Sequence, residues 1–188
     1  MNHLTSANNN PRVKIATRGS SLALWQAGFV KKLLSYQGVA GDLVVVKTTG
    51  DKIQDRPLHQ IGGKGVFIKE IEQALLDQKA HLAVHSLKDL PACLSSHFYL
   101  GAFLKRDSPN DVLIFSKKNS LPTKKLLTEK DFAKFCPEAV ATGSLRRKAL
   151  LKLYSPKTKA IAIRGNVTTR LSKLKSGDYP ALILAKAS

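Results

Sequence analysis

Short apolar runs alternate along this chain with longer stretches whose apolar residues recur every third or fourth position, the periods of strands and helices respectively. Residues 13–16 read as a strand. After them, Ser20 or Ser21 can cap a helix reaching about residue 36 on the stripe Leu22, Trp25, Phe29 and Leu33. Trp25 is expected to pack inward with that stripe. Residues 43–46 form a β-branched strand, and residues 48–64 a polar, glycine-rich loop of the length that is usually functional or mobile. An amphipathic helix follows over residues 67–78, with Phe67, Ile71, Ala74 and Leu75 on one face. Residues 82–84 form a short buried strand, residues 99–104 are another extended apolar run, and residues 105–110 make a polar turn whose Pro109 suggests a hinge.

A second series begins there. Strands are predicted at residues 111–115, 139–141, 159–163 and 181–185, with helices from Thr128, over residues 145–154, and from about residue 167 to 175. Strands alternating with helices argue for an α/β protein of two lobes with largely parallel sheets, and no fixed-period repeat points to a solenoid. The expected division is a disordered leader at residues 1–11, a first domain at 12–106 and a second at 107–188.

Composition narrows the partners. Lys and Arg total 31 against 13 Asp and Glu, a net charge of +18 that calls for an anionic partner: nucleic acid, a membrane surface or an acidic small molecule. Aromatic residues are 6% of the chain, expected to be mostly buried, and no zinc-finger, RNP or basic-zipper pattern occurs, so nucleic acid is a minor reading that rests on the basic charge alone. Cys93 and Cys136 stand far apart with no ligand spacing for zinc, which fits a reducing cytoplasm and predicts no metal site. No apolar run approaches the ~20 residues of a membrane span, and the first ten residues lack a signal-peptide core.

Three strand-to-helix junctions share one character. They are Thr17-Arg18-Gly19-Ser20, Thr142-Gly143-Ser144-Leu145-Arg146-Arg147, and Arg164-Gly165-Asn166 with Thr169 and Arg170 a turn later. Each can offer backbone N–H groups at a helix start together with hydroxyls and guanidinium, the equipment that grips carboxylate or phosphate. Each also has a plainer reading as a capped helix with an exposed arginine, but three together favour a ligand with several acidic groups. A P-loop is excluded, because Gly62-Gly63-Lys64-Gly65 lacks the required spacing; a flexible flap carrying Lys64 and Phe67 fits better. After the strand at residues 82–84 come His85, Ser86, Lys88 and Asp89, where an open α/β sheet binds ligands. Among so many cations Asp89 is expected to stay ionised, able to pair with a developing positive charge or accept a proton from a substrate N–H.

With these residues assembled, the chain resembles porphobilinogen deaminase (hydroxymethylbilane synthase) of tetrapyrrole and heme biosynthesis. The matching stretches are Ile15-Ala16-Thr17-Arg18 with Leu22-Ala23-Leu24-Trp25-Gln26, Thr49-Gly50-Asp51, Gly62-Gly63-Lys64-Gly65 with Phe67, Val84-His85-Ser86-Leu87-Lys88-Asp89, Gly143-Ser144-Leu145-Arg146-Arg147, and Arg164-Gly165-Asn166-Val167 with Thr169-Arg170-Leu171. The resemblance implies two lobes similar to type-II periplasmic binding proteins with the active cleft between them. It also implies a transferase that joins four porphobilinogen units, with loss of ammonia, into hydroxymethylbilane.

By the same resemblance, Asp89 is the catalytic aspartate that holds pyrrole N–H groups and stabilises an azafulvene-like cation. Arg18, Ser20, Lys64, Ser86, Lys88, Thr142, Ser144, Arg146, Arg147, Arg164, Asn166 and Arg170 are the implied binders of substrate and cofactor, and Asp51, Gly62, Gly63 and Phe67 belong to a mobile active-site loop. The family's dipyrromethane cofactor hangs from a cysteine in a third, C-terminal domain, to which nothing in this chain corresponds; neither Cys93 nor Cys136 matches that context. A cytoplasmic monomer acting on porphobilinogen, without nucleic acid or membrane, is the expectation, and a truncated homologue that only binds polycarboxylate pyrroles is the alternative.

Overall fold

The computed structural model describes residues 12–52, 65, 67–117 and 128–188. The chain divides into two compact units, Met1–Leu100 and Gly101–Ser188, so the division falls a little ahead of the Pro109 turn.

In the first unit, β1 (Val13–Arg18) lies between β2 (Gly41–Val46) and β3 (Leu82–Ala83), and both pairings are parallel. Helix α1 (Ser21–Tyr36) joins β1 to β2. It starts at N-cap Ser20, whose Oγ accepts a hydrogen bond from the Ala23 amide. After β2 come α2 (Thr49–Lys52) and α3 (Lys69–Leu76), and a 3-10 turn, Leu87–Asp89, follows β3. Ile71 of α3 packs with Ala16 of β1 and with Ala80 just ahead of β3, and Val46, Leu75 and Ala83 close this side of the sheet.

The second unit contains β4 (Asp111–Phe115), α4 (Glu129–Phe135), β5 (Ala139–Ala141), α5 (Leu145–Tyr154), β6 (Lys159–Ile161), α6 (Val167–Ser176) and β7 (Ala181–Ala185). Its sheet runs β4-β7-β5-β6; β5 pairs parallel with both β6 and β7, whereas β4 runs antiparallel to β7. Alternate strand residues serve opposite faces, as the two-residue period requires. Ala141, Leu182 and Leu184 meet Leu174 of α6 on one side, while Val140, Ala181 and Ile183 meet Leu151 of α5 on the other. Burial on both faces explains why β7 reads as a continuous apolar run.

The two units share a layout that no fixed-period repeat reveals. β1 sits between β2 and β3 as β5 sits between β6 and β7, and each central strand leads through a glycine into a serine-capped helix. In sheets of this order the carboxyl ends of the central strand and its neighbour part company, which opens a place for ligands.

Several expectations are corrected. Trp25 is not core: it is 64% exposed and stacks flat on Phe29 along the outer face of α1. The small residue Ala27 occupies the buried position of the helix instead. The apolar run at residues 99–104 forms no strand, and Tyr99 (89%) and Phe103 are exposed, so the aromatics are less buried than their number suggested. The loop after β2 begins as helix α2, because the Glu70 carboxylate accepts hydrogen bonds from the Thr49 amide and hydroxyl at its start. The expected leader, Lys64, Gly62 and Gly63 lie outside the described residues.

Candidate functional site

In the first unit the chemistry gathers where β1 and β3 end side by side. Arg18 closes β1, and its guanidinium is held in two-point fashion by Asp51 of α2, with Nε donating to Oδ2 at 3.2 Å and Nη2 donating to Oδ1. Thr48 donates to the same carboxylate at 2.7 Å. Burial by itself would raise the Asp51 carboxyl, but hydrogen bonds from Arg18 and Thr48 outweigh it and hold the group below its ordinary value. The Phe67 ring lies over the guanidinium, 3.9 Å from carbon to centroid. Asp51 is therefore a helical clamp on Arg18 rather than a loop residue. Gly50 is required by this arrangement, since a Cβ there would come within 2.1 Å of the Phe67 ring.

Beyond β3 the chain is tethered by Ser86, whose hydroxyl donates to Gln26 Oε1 of α1 at 3.0 Å. Three residues on, Asp89 is half-buried, and among the described residues its carboxylate has no hydrogen bond or ion pair. Lys88 is exposed. His85 is held below the usual histidine value by burial, opposed by Asp89 and reinforced by Arg18, so the imidazole feels both charges. The sign of the consequence is fixed: below about pH 6.5 the unfolded chain takes up a proton that the folded chain resists, so stability falls as pH falls. His85→Gln is expected to flatten that part of the decline in melting temperature between pH 7.5 and 5.5; an unchanged slope would remove His85 as its source.

In the second unit two junctions meet. A Cβ on Gly143 would stand 3.0 Å from the Ile163 carbonyl and 4.0 Å from Arg170 Nη2, so the turn after β5 packs directly on the turn after β6. Thr142 is fully buried and accepts from the Ser144 amide at 3.2 Å, while Ser144 caps α5 by accepting from the Arg147 amide. Asn166 caps α6, accepting from the Thr169 amide and hydroxyl, both at 2.9 Å. These side chains are occupied in fixing the helix starts, although Ser144 keeps an O–H to donate. Gly165 has φ of 105° and faces Thr169, where a Cβ would fall 2.7 Å from Cγ2. Gly165→Ala is expected to cost about 1–3 kcal/mol, read as a lower melting temperature.

The arginines converge here. Arg170 donates from Nε to the Gly165 carbonyl at 2.8 Å, and it is lowered from the usual arginine value by burial and then by Arg147 and Arg164. Arg164 Nε is buried without a hydrogen-bond partner among the described residues. Arg146 is exposed, and Arg147 is paired with Asp111. Neither α5 nor α6 carries an acidic residue in its first turn, so cations crowd the positive ends of two helices, a placement that opposes stability. Such a cluster suits an acidic ligand. Sequence reasoning missed the roles of Gln26 and Asp111: Gln26 is the one polar residue in the run Leu22–Val30 of α1, which was a usable signal, whereas Asp111 carried none.

Among the described residues no group of His, Cys, Asp and Glu is placed to hold a metal ion, and no helix is long and apolar enough to cross a membrane. These features define the class: an α/β protein whose two units each carry arginine at the carboxyl ends of their strands.

The family profile described as "Porphobilinogen deaminase, dipyromethane cofactor binding domain" matches residues 13–188, and the chain belongs to the porphobilinogen deaminase family. It is 46% identical over 177 residues to porphobilinogen deaminase of Francisella tularensis subsp. novicida, covering 94% of this chain and 56% of that one. It is 45% identical over 177 residues to the chloroplastic porphobilinogen deaminase of Euglena gracilis, covering 93% of this chain and 35% of that one. The chain thus spans about half the length of the bacterial relative. Among solved structures it is similar to the periplasmic VFT2 domain of Bordetella pertussis BvgS, with TM-score 0.46 and 14% identity over 94% of this chain and 67% of that one, a likeness on which no argument rests.

Proposed function

We propose that this chain takes part in hydroxymethylbilane synthesis, joining porphobilinogen units with loss of ammonia. The observation that carries the proposal is the chemistry of each unit: in the second, an arginine cluster whose Arg164 Nε is unpartnered among the described residues, and in the first, an Asp89 carboxylate with no hydrogen bond or ion pair among the described residues. Porphobilinogen has both counterparts, carboxylate side chains for the arginines and a pyrrole N–H for the aspartate.

In this reading Arg147, Arg164 and Arg170, helped by the Ser144 hydroxyl, bind acetate and propionate groups, and Arg18 does so in the first unit. Asp89 accepts the pyrrole N–H and offsets the positive charge that develops on the ring as the C–N bond to ammonia breaks. Gln26, through Ser86, fixes the residue that precedes the 3-10 turn carrying Asp89.

The cofactor of the family, dipyrromethane, fits the donor set, since a cluster of guanidiniums with one buried N–H unused is suited to a polycarboxylate. When bound, it would supply the pyrrole carbon to which the first substrate unit is joined. In the second unit Arg147, Arg164 and Arg170 would suit its carboxylates, and in the first unit Asp89 would suit its N–H groups. The two free cysteines support a reducing, cytoplasmic setting.

Incubation with porphobilinogen followed by intact mass measurement and assay of hydroxymethylbilane tests the proposal. Formation of hydroxymethylbilane is the expected result; its absence would overturn the proposal.

A further inference from the structure

We propose that Asp111 positions Arg147 for a carboxylate ligand, a role that rests on the reading of the second unit's arginines as carboxylate binders. Asp111 opens β4, the antiparallel strand of its sheet, and pairs in register with Ala185 at the end of β7. That reversal matters. A parallel strand would start at the far end of the sheet, whereas β4 delivers its first residue to the carboxyl ends of β5 and β7, where the junctions meet.

There the Asp111 carboxylate takes the guanidinium of Arg147 in a fork, Nε to Oδ2 at 2.9 Å and Nη2 to Oδ1 at 2.6 Å. The fork uses one edge of the guanidinium and leaves its remaining N–H groups for another acceptor. Arg147 needs such a partner. It lies in the first turn of α5, where the helix dipole repels a cation, and Arg170 repels it further. Without Asp111, the long side chain is expected to swing toward solvent, away from the other two arginines. The pair itself is partly exposed, so it contributes little to stability as an ion pair.

The two roles open to Asp111 have opposite signs. As a mere neutralising charge it would weaken anion binding, and its removal would tighten it. As a positioning residue it strengthens binding although it is itself negative. Calorimetric titration of the chain with porphobilinogen and with tricarballylate, a simple tricarboxylate, separates the two. Asp111→Asn is expected to weaken binding of both about tenfold, with the melting temperature nearly unchanged, and Asp111→Glu to restore part of the loss. In an Arg147→Ala background, Asp111→Asn is expected to change affinity no further, because its effect passes through Arg147. Unchanged or tighter binding in Asp111→Asn overturns the proposal, as does loss of equal size in the Arg147→Ala background or failure of the unsubstituted chain to bind either titrant. Binding of tricarballylate but not porphobilinogen would remove the pyrrole reading and leave the Asp111 comparison standing.

Discussion

Asp89→Asn is expected to lower hydroxymethylbilane formation by about 10²–10⁴-fold while leaving the melting temperature almost unchanged. The first half follows from the role proposed for the carboxylate, and the second from its having no hydrogen bond or ion pair among the described residues. A carboxylate with no structural partner is not what holds the 3-10 turn Leu87–Asp89 in place; the Ser86 tether to Gln26 and the turn's own backbone bonds do that. Asn keeps the shape and one acceptor oxygen but loses the charge, so the variant isolates the electrostatic part of catalysis. Product formation by Asp89→Asn at the rate of the unsubstituted chain would show that the aspartate is not the charged partner of the reacting ring. A large fall in melting temperature would show instead that the carboxylate has a structural role.

Arg164→Met is expected to move binding and stability in opposite directions. Arg164 Nε is buried and unpartnered among the described residues, which costs about 1–3 kcal/mol in the ligand-free fold, and Arg164 adds positive charge that acts on Arg170. Methionine removes the stranded donor and the repulsion at similar length, so the melting temperature should rise by several degrees, about 2–8 °C per kcal/mol for a domain of this size. The same change deletes a charge-assisted hydrogen bond to ligand carboxylate, about 1.5–3 kcal/mol or roughly 10- to 100-fold in affinity. Thermal melts and porphobilinogen titrations read the two effects separately. A lower melting temperature with unchanged affinity would make Arg164 a structural residue. The expected trade is one in which the site is kept poised at the expense of the fold, as cations at helix starts already suggest.

Much of this was legible because the signals are local. Serine or asparagine before an apolar periodic segment marks a helix start wherever it occurs, and Ser20, Ser144 and Asn166 are all N-caps. Alternating strands and helices likewise imply layered α/β units, and the parallel pairings of β1 and of β5 follow from helical crossovers. What failed was local pattern taken as burial. Trp25 has helical spacing yet lies outside, and residues 99–104 are apolar yet unpaired, because a periodic stripe states which residues share a face and not whether anything covers that face.

The parts are written along the chain: arginines and hydroxyls beside three helix starts, and one aspartate after a short strand. Only the tertiary structure decided the partnerships. Arg18 belongs to Asp51 and Phe67, Arg147 to Asp111, and Arg164 to no protein partner among the described residues. The physical reason is separation along the chain. Asp51 is 33 residues from Arg18 and Asp111 is 36 from Arg147. Contacts over such distances depend on strand order and direction, above all on the reversal of β4, which no residue in that strand announces.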